Sequence, residues 1–481
     1  MAQKDTKMSN KSENHDESKM ESLVALCKRR GFIFQGSEIY GGLAGTWDYG
    51  PLGVALKNNI KKLWWKRFVD DRDDMYGVDA AILMNQKTWE ASGHVSGFAD
   101  PLVECKKCKH RFRADQLPGA EKGAVKCPDC SGALGEARQF NMMFKTNVGA
   151  VGESPAEIAA SVSYLRPETA QGMFVNFKNI LDSFHPKLPF GMAQIGKAFR
   201  NEIAPRDFLF RAREFEQMEI EYFVRAPKDA DDNEWAKTFD HLRDEMKSFM
   251  KDIGLKAEKI HEYEVPDGDR AHYSKRTIDF EFDFPFGKSE LYGLAYRTDF
   301  DLKQHKEFSK VDISYYDEET KERFVPHCIE PSFGLDRTVL AILSDAYMED
   351  EMGATVPEEG KSDVTKEKRV FLRLAPSIAP YKVAVFPLLR NKPALVEKAR
   401  AVFANIKVEL ARAGIQGITF DDNGNIGKRY RRQDEVGTPF CVTVDFETIE
   451  KGTGVTVRDR DTGKQERVAE SALVEYIKAR F

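Results

Sequence analysis

The sequence predicts an α+β region, in which helices surround an antiparallel sheet, followed by a separate α/β domain. Apolar and polar residues alternate at 278–284, which is typical of a half-buried strand. Two strand-like runs flank Pro205 between residues 199 and 219, which predicts an antiparallel hairpin. More broadly, residues 164–225 and 271–345 are expected to alternate strands and turns.

The C-terminal part has a β-α-β order. It follows a predicted linker at 349–369 that is rich in Glu, Asp and Lys. An apolar run at 381–387 predicts a strand, and it precedes a helix at 393–413 and strands near Ile418 and at 440–446. This order is typical of an α/β domain.

Length and composition exclude several classes of protein. The 481 residues suggest about two to four domains. Hydrophobic residues make up 41% and charged residues 31%, which excludes wholesale disorder, collagen and coiled coils. No uncharged run reaches the ~18 residues that a membrane span needs. The net charge of −5 does not exclude nucleic acid, because binding depends on local basic patches.

The expected location is the cytoplasm. Seven cysteines are too few for a disulfide scaffold in a chain of this length. Residues 1–20 are polar and charged rather than apolar, so they are predicted to be a disordered tail and not a secretory signal.

Two helices are predicted near the start. Residues 21–35 are expected to be helical up to a break at Gly31, and a glycine-rich loop at 41–53 follows. After Pro51, apolar residues recur at helical spacing, namely Leu56, Ile60, Leu63, Trp64 and Phe68. This pattern predicts an amphipathic helix.

A first cluster of charged residues lies on the predicted hairpin. On its first strand Arg200 and Glu202 would share a face, because side chains alternate along a strand. One face of the second strand carries Arg211, Arg213, Phe215, Gln217, Glu219 and Glu221. The opposite face suits the core and carries Met218, Ile220, Tyr222 and Val224. A charged face is usually solvated, but arginines beside an aromatic ring and carboxylates favour a binding face here.

A second cluster lies at a predicted strand–turn–helix junction. Glu330, Ser332 and Gly334 alternate onto one face of the strand, and Arg337 lies near the start of the apolar helix at 338–343. Taken alone, this pattern is also typical of an ordinary junction that contains glycine.

Together the clusters resemble motifs of the class II aminoacyl-tRNA synthetases. Phe199-Arg200-Asn201-Glu202 and the loop after it resemble motif 2, and Gly334-Leu335-Asp336-Arg337 resembles motif 3. The segment at 48–65 is similar to motif 1. Within that class, the chain resembles the homodimeric type of the glycyl-tRNA synthetase family from about residue 20 to the C-terminal end. The segments that carry this resemblance are TWDYGPLG, WEASGH, RPETAQG, FRNE, FRAREFEQMEIE, IEPSFG and GKRYRRQDE.

The resemblance implies a domain organisation and an activity. It implies a class II catalytic domain at 21–365 and an anticodon-binding domain at 366–481. The catalytic domain would carry a zinc-ribbon-like insert at 101–140 and an inserted helical segment at about 226–270. The implied reaction is ATP-dependent: glycine becomes glycyl-adenylate with release of pyrophosphate, and is then transferred to the 3′ end of tRNA(Gly). The implied partners are tRNA(Gly), glycine, ATP and a second copy of the chain, with no membrane.

The helix after Pro51 has two interpretations. Trp64 and Trp65 suit the core of a monomer, but motif 1 packs at the dimer interface in class II enzymes. The resemblance therefore implies a C2 homodimer.

The resemblance also assigns an ATP site. The reacting groups are anionic, so positioning and charge neutralisation should do most of the work, and arginine suits phosphate. Arg200 would bind the α-phosphate, while Arg211 and Arg337 would bind the γ-phosphate. Phe215 would stack on adenine, and Glu202 would accept a hydrogen bond from its amino group. The other implied ATP contacts are Asn201, Phe210, Leu291 and Gly334.

Glu290 looks like the acidic residue that holds Mg²⁺ in this class. Magnesium typically binds through one or two carboxylates together with phosphates. The alternative is a paired surface carboxylate. The implied catalytic residues are therefore Arg200, Arg211, Glu290 and Arg337.

Recognition of glycine requires carboxylates for its ammonium group and a wall where a Cβ would lie. By resemblance the ammonium set is Glu168, Glu219 and Glu330. Further implied contacts are Phe215, Gln217, Ser332 and Gly334. Three crowded carboxylates raise one another's pKa unless a cation joins them, which favours a cationic ligand. Arg113 has two interpretations: it contacts glycine or the adenylate, or it is a surface arginine. No editing domain is expected.

Two CxxC pairs predict a structural zinc site. Cys105 and Cys108 form one pair and Cys127 and Cys130 the other, which suits a tetrahedral Cys₄ centre. A redox pair or disulfides are the alternatives. The insert is also basic, so it would either contact the tRNA acceptor end or form a solvated loop.

A basic segment near the C-terminal end is the predicted tRNA contact. It consists of Lys428, Arg429, Tyr430, Arg431 and Arg432. Cations around an aromatic residue suit phosphate contact and base stacking on single-stranded RNA. A solvated basic loop is the alternative, and the resemblance favours anticodon binding.

Two other functions are considered. One is an inactive, synthetase-like RNA-binding protein, but the motif arginines Arg200, Arg211 and Arg337 are all present. The other is a class II synthetase for threonine, proline or serine, which would need different pocket walls. The sequence therefore favours a glycine–tRNA ligase activity with ATP, Mg²⁺ and structural Zn²⁺.

Overall fold

The computed structural model describes residues 19–117, 126–150, 152, 154–229, 231–350 and 369–481. Of the predicted tail at 1–20, residues 1–18 lie outside this range, as do residues 351–368 of the predicted linker. Residues 19–30 form the first helix, α1. The predicted helix at 21–35 therefore ends earlier, since residues 33–35 form a strand.

The described helices are distributed along both halves of the chain. After α1 they are α2 (Pro51–Trp65), α3 (Gln86–Ala91), α4 (His94–Gly97), α5 (Pro155–Ala160), α6 (Ala170–Phe184), α7 (Glu234–Asp252), α8 (Phe300–Ser309), α9 (Leu335–Ala346), α10 (Pro393–Arg412), α11 (Ile426–Val436), α12 (Phe446–Glu450) and α13 (Leu473–Lys478).

The described strands up to residue 350 are β1 (Ile33–Gln35), β2 (Trp47–Tyr49), β3 (Met75–Gly77), β4 (Ala99–Glu104), β5 (Arg111–Arg113), β6 (Arg138–Asn141), β7 (Lys145–Asn147), β8 (Val162–Tyr164), β9 (Phe190–Phe199), β10 (Glu214–Val224), β11 (Ile260–Glu264), β12 (Arg276–Phe284), β13 (Gly287–Thr298), β14 (Tyr315–Tyr316), β15 (Arg323–Phe324), β16 (His327–Gly334) and β17 (Tyr347–Asp350). After residue 368 they are β18 (Arg369–Leu372), β19 (Val383–Pro387), β20 (Ile418–Phe420), β21 (Phe440–Val444), β22 (Val455–Asp459) and β23 (Gln465–Val468).

The first half is built on a largely antiparallel sheet, as the sequence predicts. Within the described residues seven strands pair in the order β11-β12-β13-β16-β10-β9-β3. Each neighbouring pair is antiparallel except β3 and β9, which run parallel. The predicted alternation at 278–284 is present on β12, where the phenylalanines are buried and the intervening carboxylates are not.

Helices cover the two faces of this sheet. One face packs on α2, α7 and α9, and its core includes Trp64, Phe249 and Phe333. The opposite face packs on α6 and α8 through residues such as Phe177 and Phe223. Helices α6 and α8 lie in stretches expected to hold only strands and turns, so that expectation is wrong there. Their apolar faces are recognisable, but the tertiary contact with the sheet decides the helical state.

The predicted hairpin is present, but its strands are shorter than expected. Strands β9 and β10 pair from Phe199 opposite Glu214, and residues 200–213 form the connecting loop. Arg200 and Glu202 therefore do not share a strand face. On β10, Met218, Ile220, Tyr222 and Val224 are buried in the core, as predicted.

The segment at 226–270 is integral to the fold. Helix α7 contributes Phe239, Leu242 and Met246 to the main core, and β11 is the edge strand beside β12. Helix α7 lies within the predicted bounds, and the assignment of the stretch as an insertion stays a prediction. In contrast, β4, β5 and β6 form a small sheet of their own in the region of the predicted insert.

The C-terminal part contains the predicted β-α-β unit. Strand β19 pairs in parallel with both β20 and β21, and β22 and β23 continue the sheet in antiparallel fashion. Helix α10 packs on it through Leu395, Val402 and Leu410. None of the helices in the described part of the chain combines the length and the apolar character that crossing a membrane requires.

Candidate active site

A cleft of about 490 Å³ opens over the face of the main sheet that α6 and α8 leave uncovered. The same face of β10 changes along its length from buried Phe223 to polar Glu219 and Gln217. Gln217 lies opposite Gly334 and Glu219 opposite Ser332 on the neighbouring β16. The two predicted clusters therefore lie on adjacent strands and belong to one site.

One end of the cleft is rich in arginine. Arg200 donates through Nε to the Pro167 carbonyl at 3.1 Å, and its guanidinium lies 5.3 Å from the Phe215 ring centroid. Arg211 donates to Oε1 of Gln116 at 3.4 Å. Among the described residues, neither Arg200 nor Arg211 has a carboxylate partner within ion-pair distance. These guanidinium groups retain donors that an anionic ligand can accept.

The charges at this end act on one another. Burial lowers the pKa of Arg211, and the charges of Arg206, Arg113 and Arg337 lower it further, while Glu202 opposes them. Arg337 lies 4.4 Å from the Phe210 ring centroid and pairs with Glu290 at 3.2 Å. The repulsion among these cations is relieved when an anion binds.

Two carboxylates lie beside these arginines on neighbouring strands. The charge of Arg337 lowers the pKa of Glu290, which is half exposed on β13. Asp279 on β12 lines the same cleft, and burial together with the charges of Glu290 and Glu281 raises its pKa to about 7. Two neighbouring carboxylates, of which Asp279 has a raised pKa, suit a divalent cation. Asp279 was not among the predicted site residues, although the alternation of side chains on β12 gives its orientation.

The other end of the cleft holds the three predicted carboxylates. Glu219 is buried and accepts hydrogen bonds from the Thr169 amide at 3.1 Å, from Ser332 Oγ at 2.7 Å and from Gln217 Nε2 at 2.8 Å. Burial and the charge of Glu168 raise the pKa of Glu219. Glu168 pairs with His94 at 3.3 Å, and Glu330 pairs with Arg297 at 2.8 Å.

The chain itself supplies nitrogen partners to two of these carboxylates. From the sequence, the crowding of acidic groups was expected to require a cationic ligand. Instead, His94 serves Glu168, and the buried Arg297 serves both Glu330 and Asp301. Among the described residues Glu219 has no ion-pair partner. The demand for an external cation is therefore concentrated on Glu219.

Arg297 is a site residue that the sequence analysis missed. It lies on β13, where Leu294 and Tyr296 are buried, and its guanidinium is 4.0 Å from the Tyr273 ring centroid. An arginine within an apolar strand is rarely solvated, and that feature could have identified it. Its partner Glu330 is on a different strand, so the pairing was not readable from the sequence.

Most predicted ligand contacts line this cleft. They are Arg113, Glu168, Arg200, Glu202, Phe210, Arg211, Phe215, Gln217, Glu219, Glu290, Leu291, Glu330, Ser332, Gly334 and Arg337. Asn201 is not among the lining residues, and its amide donates to the Met142 carbonyl instead. Arg113 lines the mouth but pairs with Asp100 and Asp115 at 2.7 Å. Oε2 of Glu202 is buried and accepts no hydrogen bond within the described structure.

The four predicted cysteines converge in the insert. Their Sγ atoms lie within 4.8 Å of one another, and the Cys105–Cys130 and Cys108–Cys127 separations are 3.5 Å. Four thiolates around Zn²⁺, each at about 2.3 Å, would lie about 3.8 Å apart. The Cys108 amide also donates to Sγ of Cys105 at 3.4 Å. The donor set and spacing fit zinc, and all seven cysteines are unpaired.

The basic segment at 428–432 is not a loop. It lies within helix α11, and Arg429 and Tyr430 are buried. Tyr430 packs edge-on against Phe386 and its hydroxyl lies 2.7 Å from Oγ1 of Thr443. The prediction that Tyr430 offers a stacking surface is therefore wrong for this conformation. The segment is helical, and one face of the helix, which includes Tyr430, points into the core. Lys428 and Arg431 are exposed, and Arg432 is partly exposed.

Comparison with known proteins agrees with this arrangement. Residues 159–346 match the tRNA synthetase class II core domain (G, H, P, S and T), and residues 382–480 match the anticodon binding domain. The chain is 50% identical to the glycine–tRNA ligase of Bacillus thuringiensis subsp. konkukian, covering 96% of this chain and 99% of that protein. It is 48% identical to the glycine–tRNA ligase of Alkaliphilus metalliredigens, over 96% of this chain and 98% of that one. It is also 49% identical to the glycine–tRNA ligase of Treponema denticola, over 95% and 96%.

Proposed function

The chain belongs to the glycine–tRNA ligase family of class II synthetases, and on that premise we propose how its cleft performs the reaction. The activity is the ATP-dependent attachment of glycine to tRNA(Gly) through glycyl-adenylate. One observation carries the assignment to this cleft. Among the described residues, Arg200 and Arg211 line one end without a carboxylate partner, and Glu219 lies at the other end without a cationic partner. Such a cleft suits a substrate pair with phosphates at one end and an ammonium group at the other.

The arginine end binds ATP. Arg200 neutralises the α-phosphate, and Arg211 and Arg337 bind the γ-phosphate. The glycine carboxylate attacks the α-phosphorus and pyrophosphate leaves, so negative charge grows where fixed guanidinium groups already lie. Phe215 stacks on adenine. The unpartnered buried oxygen of Glu202 supports its role as acceptor for the adenine amino group.

Magnesium fits the acidic pair on β12 and β13. Glu290 and Asp279 would hold it, because neighbouring carboxylates, of which Asp279 has a raised pKa, are stabilised by a divalent cation. When bound, the ion neutralises phosphate charge. Within the chain, Arg337 keeps Glu290 ionised.

The carboxylate end binds glycine. Glu219 accepts the ammonium group, with Glu168 and Glu330 completing the acidic surround and Ser332 orienting Glu219 through its hydroxyl. Because Arg297 and His94 already serve the other two carboxylates, one ligand cation completes the set. A substrate with a Cβ would be excluded by the rigid, hydrogen-bonded walls, which change shape only by breaking these bonds.

The cysteine cluster holds a structural zinc ion that orders the insert. The convergence of four Sγ atoms supports this proposal. Elemental analysis of the purified protein should find about one zinc per chain. Cys108→Ser should lose it, whereas Cys441→Ser, outside the cluster, should retain it. Equal zinc content in both variants would contradict the assignment.

We place the anticodon contact on the exposed side of α11, at Lys428, Arg431 and Arg432.

The boundary between the two domains is placed after Ala379 rather than at 366. Leu372, Ile378 and Ala379 pack in the first core, and the second core begins with Val383.

The functional unit is proposed to be a C2 homodimer. Ile39 is 88% exposed and Tyr40 87%, and Leu43 and Val54 beside them are also exposed. An apolar group of this kind next to motif 1 is typical of an interface. Trp64 belongs to the core of the monomer, so it does not contribute to that contact. Light scattering should give the mass of two chains, and Ile39→Asp with Tyr40→Asp should halve it.

A cytoplasmic location is supported by the seven unpaired thiols, which a reducing compartment maintains.

The decisive experiment is ATP–pyrophosphate exchange with each standard amino acid in the absence of tRNA. Exchange with glycine alone is expected. Exchange with a larger amino acid would still support amino-acid activation by this cleft, but it would overturn the assignment of the carboxylate end to glycine. No exchange with any amino acid, from an intact protein, would favour the RNA-binding alternative.

A further inference from the structure

His94 contacts Glu168 at the glycine end, although it is not one of the residues that line the cleft. It begins the short helix α4, and its side chain is 11% exposed. Its ring lies edge-on to Trp89, with centroids 5.5 Å apart, and packs against Phe98 at 5.3 Å. Both ring nitrogens have partners: Nε2 faces Glu168 at 3.3 Å and Nδ1 faces Ser92 Oγ at 2.8 Å. The imidazole is therefore fixed in position and in orientation.

We propose that His94 is a positioning residue that holds the Glu168 carboxylate, ionised and correctly oriented, for the ammonium group of glycine. This proposal rests on the proposed function of the cleft. Within it, Glu168 is part of the acidic surround of the ammonium group beside Glu219, and His94 fixes the position of Glu168.

The position of Glu168 depends on one hydrogen bond and one ion-pair contact. Its Oε1 accepts from Gln171 Nε2 at 3.0 Å, and its other oxygen faces His94. Burial alone would raise the pKa of Glu168, but His94, together with Arg297 and Gln171, lowers it below its usual range. Without His94, one carboxylate oxygen would lose its partner, and the charged form would lose its nearest stabilising group.

The Gln171 bond ties Glu168 to the rest of the glycine end. Nε2 of Gln171 also donates to Asp301 at 2.9 Å, and His305 lies 2.8 Å from Oε1 of Gln171. Asp301 in turn pairs with Arg297, which binds Glu330. The two carboxylates are thus the ends of one hydrogen-bonded chain, and His94 fixes the end that Arg297 does not contact.

Imidazole suits this position better than a permanent cation. Arginine at both carboxylates would cancel the negative charge that attracts an ammonium group. The imidazole offers Glu168 a single nitrogen, Nε2, and so engages one carboxylate oxygen only. On the other side of the ring, Nδ1 lies 2.8 Å from Ser92 Oγ, whose hydroxyl also reaches the Trp89 carbonyl at 3.4 Å.

Three variants test the proposal in glycine-dependent ATP–pyrophosphate exchange. His94→Phe keeps a ring between Trp89 and Phe98 but removes the donor. It should raise the KM for glycine about ten- to a hundredfold, the effect of one hydrogen bond to a charged group. The KM for ATP should change by less than about twofold, because the arginine end is untouched. His94→Gln places an amide donor near Nε2 and should recover most of the loss. His241→Phe, on the exposed side of α7, is the matched control.

Several outcomes would overturn the inference. An unchanged glycine KM in His94→Phe would show that Glu168 does not need the imidazole. Equal defects in His94→Gln and His94→Phe, or a parallel rise in the KM for ATP, would indicate a general packing role. Absence of glycine exchange in the unaltered protein would instead overturn the proposed function, and the role of His94 with it.

Discussion

The loop at 200–213 and helix α11 both carry several arginines, but their guanidinium groups have opposite surroundings. In the loop, Arg200 and Arg211 face a cleft and bond only to neutral oxygen atoms among the described residues. In α11, Arg429 donates to the carbonyls of Pro387 and Gly424, and Arg432 pairs with Asp421 at 2.7 Å.

The difference shows how arginine can serve two purposes. A buried guanidinium whose terminal NH groups donate to oxygens of the fold, as those of Arg429 do, stabilises the fold and has little left for a ligand. A guanidinium held among other cations costs stability and is available for phosphate. The pairing of a charged group, and not its frequency in the sequence, therefore separates the binding segment from the structural one.

The largest expected effect comes from removing one of the cleft arginines. Arg211→Ala should lower kcat/KM for glycine-dependent exchange about 100- to 1000-fold, because a fixed charge opposite developing negative charge is lost. The melting temperature should stay the same or rise. Arg206→Ala, in the same loop but paired with Asp207 at 3.3 Å, is the control and should retain activity. Similar losses in both variants would point to a disturbed loop.

The next largest effect comes from removing a buried arginine of α11. Arg429→Ala should lower the free energy of unfolding by about 2–4 kcal/mol, because the buried Pro387 carbonyl and the partly buried Gly424 carbonyl lose charge-assisted hydrogen bonds. Glycine activation should remain within about twofold of the unaltered protein. Denaturant titration and the exchange assay measure the two quantities. Lys428→Ala, its exposed neighbour, should change neither, and a stable Arg429→Ala would refute the structural role.

A smaller effect sharpens the comparison within α11 itself. Lys428→Glu with Arg431→Glu should raise the KM for tRNA about tenfold and flatten its salt dependence, because phosphate contacts are lost. Exchange without tRNA should be unchanged. The same charge change on α10, made by Lys407→Glu with Arg412→Glu, is the control. Unchanged tRNA affinity at all salt concentrations would remove α11 from the RNA surface.

The smallest effect concerns the free energy of unfolding, which the partly buried carboxylate of Asp279 in the cleft lowers. The pKa of Asp279 is raised to about 7 by burial and by neighbouring carboxylates, against about 3.9 when unfolded. The folded state therefore binds the extra proton, and stability falls as pH rises from about 4 to about 7. Asp279→Asn should abolish this contribution and raise the free energy of unfolding by about 1 kcal/mol at pH 8, after allowing for solvent screening. At pH 5 the gain should be much smaller, and an equal gain at both pH values would contradict the charge argument.

Much of the fold was predictable because it follows from local periodicity. Alternation along β12 and along β10 gave the buried and cleft faces, and three- and four-residue spacing gave α2 and α10. The β-α-β order gave the C-terminal unit. Helices α6 and α8 were missed, because a helix and a strand of similar apolar content are separated by what they pack against.

The site was predictable as a set of residues and not as a set of interactions. Sequence alone determined that Arg200, Arg211, Glu219 and Arg337 are present in recognisable motifs, and that four cysteines have zinc spacing. Only the tertiary structure decided which charges are paired. Arg297 and Glu330 are 33 residues apart, and His94 reaches Glu168 from a different element. Burial and long-range pairing depend on how distant segments meet, and no local pattern of residues records that.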